Sequence, residues 1–296
     1  MQLSEIYGAG KLGLSYELYP PKTEAGLEAL FTHLKELVAF QPSYITCTYG
    51  AGGSVSNTTL DIVSRVHSEF GLPVGAHLTC VGLTKDDMRA YLADAQERGV
   101  DYIIALRGDP PKGQERFEAV AGGFAHANEL VALIRNEFPR FGVVVAGYPE
   151  THPEAPNRQS DLDYLKQKVD AGADAVITQL FYDNSDFFRF RDRCVAMGIE
   201  VPIVPGILPV TSLTQIQRIS SNCGANLPPE LLSRLEAQAD DPQGQFDVGV
   251  YHATRQVEEL AHGGCAGIHF YVLNKSRAAA TILRALTLST KYAERR

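Results

Sequence analysis

The chain has no tryptophan and only three methionines in 296 residues. Its five cysteines, at 47, 80, 194, 223 and 265, are odd in number, scattered and never spaced as CxxC. That usage argues against a disulfide scaffold and suits reduced thiols in a cytosol. No apolar run approaches the roughly 20 residues of a membrane helix. The first residues, MQLSEIYGAG, lack a basic segment followed by an apolar one, so no secretory signal is expected. Positive charge is also scarce: the net charge is −8, and the one basic cluster is RFRDR at 189–193. A nucleic-acid surface is therefore disfavoured. What remains is an ordinary globular composition, 45% hydrophobic and 21% charged, on a chain long enough for a sizeable core. The default expectation is a cytoplasmic enzyme acting on a small molecule.

Short apolar segments alternate with amphipathic ones along the whole chain. The strand-like segments fall at 13–19, 43–49, 73–81, 102–108, 142–148, 174–181, 202–208 and 267–273. Helical patterns lie between them, capped at their starts by Ser, Thr or Asn and often ended by Gly. Eight such units predict an α/β fold of the (β/α)8 TIM-barrel type, in one domain covering residues 1–296. The interval 212–262 is irregular and predicts extra helices before the last strand.

Barrel enzymes place their reacting groups at the C-terminal ends of the strands. Those ends are unusually polar here: Glu17, Thr48, His77, RGD at 107–109, YPETH at 148–152, Gln179 and HFYVLNK at 269–275. Glu17 is the sharpest case. In GLSYELYPP it shares a strand face with Ser15 and Tyr19, and a buried carboxylate is costly unless it is paired or put to use. Its structural alternative is an ion pair with Lys22 or Arg107. Arg107 and Asp109 share one side of a strand end, and there the alternative is a salt bridge. TYGAGGS at 48–54 has the placement of a ligand-binding glycine loop, with a plain flexible turn as the alternative. Gly8, Gly10 and Gly13 spell the dinucleotide fingerprint, but a strand follows them where a helix is required, so that motif is set aside. His77 and Cys80 stand three apart on a strand and face opposite ways, and no ligand set completes a metal site. His33 and His67 lie in helical sequence and are expected at the surface.

Taken together, YELYPPKT, TCTYGAGGS, HLTCVGLT, ALRGDPP, VAGYPETHPEA, DLDYLKQKVDAGADAVITQLFYD, FRFRDRCVAMGI, PIVPGILPV and HFYVLNKS resemble the methylenetetrahydrofolate reductase family over residues 16–277, in the family's order. The resemblance implies an FAD-containing barrel that reduces 5,10-methylenetetrahydrofolate to 5-methyltetrahydrofolate, feeding methionine synthesis, with NAD(P)H as hydride donor in a ping-pong cycle. It assigns Glu17 as the general acid for the folate's bridging nitrogen; a carboxyl partly withdrawn from water can hold the required proton. It places Asp109 by the flavin ring, where a carboxylate favours a cationic folate intermediate. Thr48, Tyr49, Ala51, His77, Arg107, Gly108, Ala127, Tyr148, His152, Ala155, Asp161 and Lys168 match cofactor positions, with Lys168 a partner for the diphosphate. Gln179, Gln215 and Lys275 match folate positions, joined by Glu17 and Thr48.

The chain departs from that pattern at Tyr164 and Gln167, which replace polar and basic FAD contacts, and at Lys275, which replaces an arginine and so lacks its bidentate fork. No metal, nucleic-acid or membrane role is implied, no regulatory domain is expected after the barrel, and a homo-oligomer is expected. Two rivals stay open: a related FAD barrel oxidising a small amine or proline, and a flavin- or folate-binding subunit that takes electrons from a protein partner.

Overall fold

The computed structural model describes residues 2–8, 12–49, 56–110, 113–114 and 116–293. Elements follow in the order α1 (Leu3–Gly8), β1 (Gly13–Leu18), α2 (Glu24–Val38), β2 (Tyr44–Cys47), α3 (Ser56–Phe70), β3 (Val74–Thr79), α4 (Lys85–Glu97) and β4 (Tyr102–Leu106). Then come α5 (Ala127–Glu137), β5 (Gly142–Gly147), α6 (Arg158–Asp170), β6 (Ala175–Thr178), α7 (Asn184–Ala196), β7 (Ile203–Val204) and β8 (Gly206–Ile207). The chain ends with α8 (Leu213–Cys223), α9 (Pro229–Glu236), α10 (Pro242–His262), β9 (Gly267–Tyr271) and α11 (Arg277–Ala293).

The strands are rich in Val, Ile and Tyr and buried on both faces, as parallel strands covered by helices must be. Side-chain caps fix several helix starts: Thr23 accepts from the Gly26 N–H, Asn157 from Ser160, and Thr84 forms a reciprocal box with Asp87. All ladders are parallel, in the order β7-β6-β5-β4-β3-β2-β1-β9-β8. β7 and β8 are the two halves of the segment expected as one strand at 202–208. Pro205 interrupts it, because proline offers no N–H to a ladder. The first half pairs with β6 (Val176↔Ile203) and the second with β9 (Gly206↔His269), so the divided strand closes the ring as an eighth stave. The other strands end two to three residues before most of the expected boundaries, where the chain turns into the mouth loops.

Two apolar layers result. Tyr16, Leu18, Ile45, Cys47, Ala76, Leu78, Ile103, Val143 and Val145 face outward onto the helices. Tyr44, Tyr102, Ile104, Val144, Ile177 and Val204 fill the barrel with Leu3, Ile6 and Tyr7 of α1. This short helix lies ahead of the first expected strand, in a stretch to which the sequence reading assigned no element. α1 plugs the N-terminal floor, its Tyr7 ring lying across Gly13 and Gly267. A helix followed by a strand reverses the dinucleotide arrangement and removes the fingerprint glycines from phosphate binding. The extra helices are α8, α9 and α10, of which α8 and α9 share an apolar cluster with Leu180, Tyr182, Leu208 and Val210 beyond β6 and β8. No helix among the described residues is long and apolar enough to cross a membrane.

Candidate active site

Strand alternation turns Ser15 and Glu17 of β1, Thr46 of β2, His77 of β3, and His269 and Tyr271 of β9 toward the barrel axis. The register sets Glu17 beside Thr46 on one side and Tyr271 on the other. Its side chain keeps 22% of its exposure, and its Oε2 lies 3.5 Å from His77 Nε2 and 3.9 Å from His269 Nε2. Neither Lys22 nor Arg107 pairs with it among the described ion pairs. His77 is buried, and its Nε2 makes no hydrogen bond among the described residues. Burial pulls its pKa down to about 4, against the opposing pull of Glu17, so it is neutral near pH 7. Tyr271 donates from its hydroxyl to the Thr178 carbonyl at 2.7 Å, and burial pushes its own ionisation far above the usual range.

The RGD turn after β4 divides its charges. Arg107 forms a bidentate pair with Glu154, at 2.7 and 2.9 Å, rather than a bridge to Asp109, and its guanidinium lies 5.1 Å from the Phe117 ring centroid. Gly108 takes φ +88°, where a Cβ would stand 2.6 Å from Val81, so the turn requires glycine. Asp109 is exposed, and its charge disfavours ionisation of Tyr148 and Cys223 nearby.

The loop after β5 folds on itself. Tyr148 meets the His152 ring edge-on at 4.5 Å, His152 Nδ1 accepts from the Glu154 N–H at 3.0 Å, and Ala155 N–H donates to the His152 carbonyl. Asp161, in the first turn of α6, accepts from the His152 N–H at 3.0 Å. On the last turn of the same helix, Lys168 donates to the Ala146 carbonyl at 2.6 Å. Burial lowers the Lys168 pKa to about 8, with Asp161 opposing. A partly desolvated ammonium, still mostly charged at pH 7 and with one carbonyl partner, is suited to receive an anion.

Thr48 and Tyr49 follow β2, with the Thr48 carbonyl accepting from Thr59 and the Tyr49 ring 5.5 Å from that of Tyr91. Ala127 is buried at the start of α5. Ala51 and most of TYGAGGS lie outside the described residues. Gln179 turns its Oε1 back to the Leu180 N–H at 2.9 Å and shares a small cleft with Tyr148 and Cys223. Gln215 stands in the first turn of α8, near Thr211 at 3.3 Å. Lys275 is exposed, and Tyr164 is 50% exposed on α6. His33, expected at the surface, is half-buried and lies 3.0 Å from Ser276. No cluster of three potential metal-ligating side chains occurs among the described residues.

Sequence reading missed three supports. Ser15 contacts His269 and Glu154 holds Arg107, while Asp161, expected as a cofactor position, also accepts from the His152 backbone N–H. Asn274, at φ +56°, brackets the Tyr19 backbone with its amide at 3.0 and 2.7 Å. The signal for Asn274 was its residue type, since Asn tolerates the left-handed region. The others depend on contacts far apart in sequence.

A closed parallel barrel with a carboxyl, two imidazoles and an anion-ready lysine at its mouth belongs to the class of small-molecule enzymes that work at the C-terminal ends of their strands. The family model described as methylenetetrahydrofolate reductase matches residues 2–287. "Methylenetetrahydrofolate reductase (NADH) 1" of Arabidopsis thaliana is 39% identical over 297 residues, covering 97% of this chain and 50% of that protein. "5,10-methylenetetrahydrofolate reductase" of Escherichia coli K12 is 36% identical over 284 residues, covering 96% and 93%. Among solved structures, a Clostridium thermocellum protein described as binding two copies of 5-methyl-5,6,7,8-tetrahydrofolic acid aligns with TM-score 0.64 at 15% identity, over 97% of this chain and 99% of that one. That last likeness concerns the fold. The chain spans about half the length of its plant relatives and nearly all of the bacterial one. It belongs to the methylenetetrahydrofolate reductase family.

Proposed function

We propose that the protein is an FAD-dependent methylenetetrahydrofolate reductase, working as a single catalytic domain over residues 1–296 with NAD(P)H as hydride donor. The observation that carries this reading is Glu17, held at the mouth with its Oε2 between His77 and His269. Family membership supplies the substrate class.

The residues present fit FAD. Among the described residues His77 Nε2 is a buried polar atom without a hydrogen bond, Lys168 is a half-buried cation with a carbonyl for company, and Gly108 makes the tight turn after β4 that glycine alone allows. Thr48, Tyr49, His77, Arg107, Gly108 and Asp109 would hold the ring end, and Ala127, Tyr148, His152, Ala155, Asp161 and Lys168 the remainder. Bound FAD supplies the transfer of a hydride from the nicotinamide to the folate's methylene carbon, one substrate following the other.

The chain's own part is acid catalysis and charge placement. Glu17 gives the proton on its Oε2 edge to the bridging nitrogen, and the ring opens to an iminium cation. A placed acid contributes roughly a hundred- to ten-thousand-fold in rate. Neutral His77 leaves that cation unopposed, and the Asp109 carboxylate favours it. Gln179 and Gln215 offer amides that donate to and accept from the pterin edge, and Lys275 offers a charge to the acidic tail.

The test is an anaerobic absorbance scan of the purified protein after incubation with FAD. NADH should bleach the flavin band and methylenetetrahydrofolate should restore it. A protein bleached only by NADPH or by a protein donor would change the electron source. A protein that stays colourless with FAD would overturn the reading.

A further inference from the structure

Below Glu17 the β1–β9 side of the barrel interior stays polar, where branched apolar side chains are the rule. Ser15 and His269 pair in register on β1 and β9, one inward layer below Glu17 and Tyr271, and each is 1% exposed. Ser15 Oγ and His269 Nδ1 are 2.8 Å apart, while the other ring nitrogen points up at Glu17 Oε2. Beneath them the hydroxyls of Tyr7 and Tyr44 meet at 2.6 Å. An imidazole whose one nitrogen accepts from a hydroxyl carries its hydrogen on the other, so the direction of the Ser15–His269 bond sets the character of Nε2.

We infer that His269 is a positioning residue for the acid, its tautomer fixed by Ser15. The Ser15 hydroxyl donates to Nδ1, so Nε2 carries the hydrogen and presents an N–H to Glu17 Oε2. This rests on the proposed function and deepens it. The N–H gains most when Glu17 becomes a carboxylate, which is the moment the bridging nitrogen takes the proton. An interaction stronger in the transition state than in the ground state speeds the step. The 3.9 Å separation is that of the site without substrate, and such contacts tighten when the substrate arrives.

The titratable groups around Glu17 are Cys47 on β2, His77 on β3, and His269 and Tyr271 on β9. Burial keeps the thiol and the phenol protonated well beyond neutrality. Neither of those two groups therefore changes charge across a pH profile between 5 and 9.

The experiment compares wild type with His269→Phe, His269→Gln and Ser15→Ala. Flavin-loaded protein reduced by NADH is mixed with methylenetetrahydrofolate, and the rate of flavin reoxidation is followed against pH. Loss of such a supporting partner costs on the order of ten- to a hundredfold. His269→Phe should show that loss, with the alkaline limb displaced to higher pH, because the carboxylate has lost a donor. His269→Gln, whose amide puts an N–H near the Nε2 position, should recover much of both. Flavin content and reduction by NADH should match wild type in all three.

Nitrogen-15 spectra of histidine-labelled protein give a readout apart from activity: one tautomer at His269 in wild type, and its loss in Ser15→Ala. If His269→Phe does not fold, Ser15→Ala carries the test. Equal loss in His269→Gln and His269→Phe, an unmoved limb, a parallel fall in both half-reactions, or an Nδ1–H tautomer in wild type would each overturn the inference. Wild-type protein that methylenetetrahydrofolate does not reoxidise would instead overturn the proposed function.

Discussion

Glutamine at position 17 keeps the shape of the side chain and removes its acidic proton. Glu17→Gln should therefore leave FAD bound and reducible by NADH while lowering folate-driven reoxidation by roughly a hundredfold or more. Rapid mixing checks each half-reaction, and equal loss of both would make Glu17 a structural residue. Lys168 gives a second prediction of opposite sign in stability and binding. Its folded pKa, about 8, is depressed from an unfolded value of 10.5. The unfolded chain then holds more protons between those values, so stability rises with pH across that window and the charge is a burden below it. Lys168→Met should raise the melting temperature of the flavin-free protein at pH 7 by about 2–4 °C. It should weaken FAD binding roughly ten- to a hundredfold, through loss of a charge-assisted contact. A variant that binds FAD as wild type does would remove Lys168 from the cofactor site. Glu17 could be found from sequence because a carboxylate on a strand face has few structural uses. Ser15 and His269 could not be joined that way. They lie 254 positions apart, and only barrel closure brings them into register. The side-chain turn of Gln179 toward its own neighbour's N–H was equally hidden, being a rotamer choice.

At the scale of elements, periodicity carried most of the fold, because parallel strands are continuous apolar runs and their helices carry explicit caps. It failed where one residue overrides the pattern. Pro205 splits an apolar segment into two short ladders, and α1 is a floor plug of one and a half turns whose helical form depends on what Leu3, Ile6 and Tyr7 pack against. α10 shows the same dependence on contact. Gly249 lies inside it, where glycine costs about 1 kcal/mol relative to alanine. Yet a Cβ there would stand 1.9 Å from the Val210 carbonyl oxygen, an atom fixed in the backbone beyond β8. Overpacking of this kind costs about 1–3 kcal/mol or more and outweighs the propensity gain. Gly249→Ala should thus lower the urea midpoint. It should also weaken folate binding, because α10 and the β8–α8 connection that leads to Gln215 must move apart. An unchanged or raised midpoint would mean that α10 is not seated as described.

The whole molecule is a barrel with the proposed site at one end and a plug at the other, joined by a polar column running from Glu17 through His269 and Ser15 to the Tyr7–Tyr44 pair. The arrangement predicts that the floor sets stability and the mouth sets activity. Tyr7→Ala removes a ring that lies across two bare glycine positions and leaves the buried Tyr44 hydroxyl without its 2.6 Å partner. Deleting a buried aromatic costs about 3–5 kcal/mol, and loss of a buried hydrogen bond adds about 0.5–1.5. Tyr7→Phe keeps the ring and incurs only the second cost. In urea the midpoints should fall in the order wild type, Tyr7→Phe, Tyr7→Ala, and each protein should unfold in one transition, as a single domain requires. FAD affinity should be equal in all three below the transition, since the residues proposed to hold FAD lie at the opposite rim. A Tyr7→Ala protein as stable as wild type would detach α1 from the cooperative unit. Two transitions, with the floor lost first, would divide the barrel into separate folding units and end the single-domain reading.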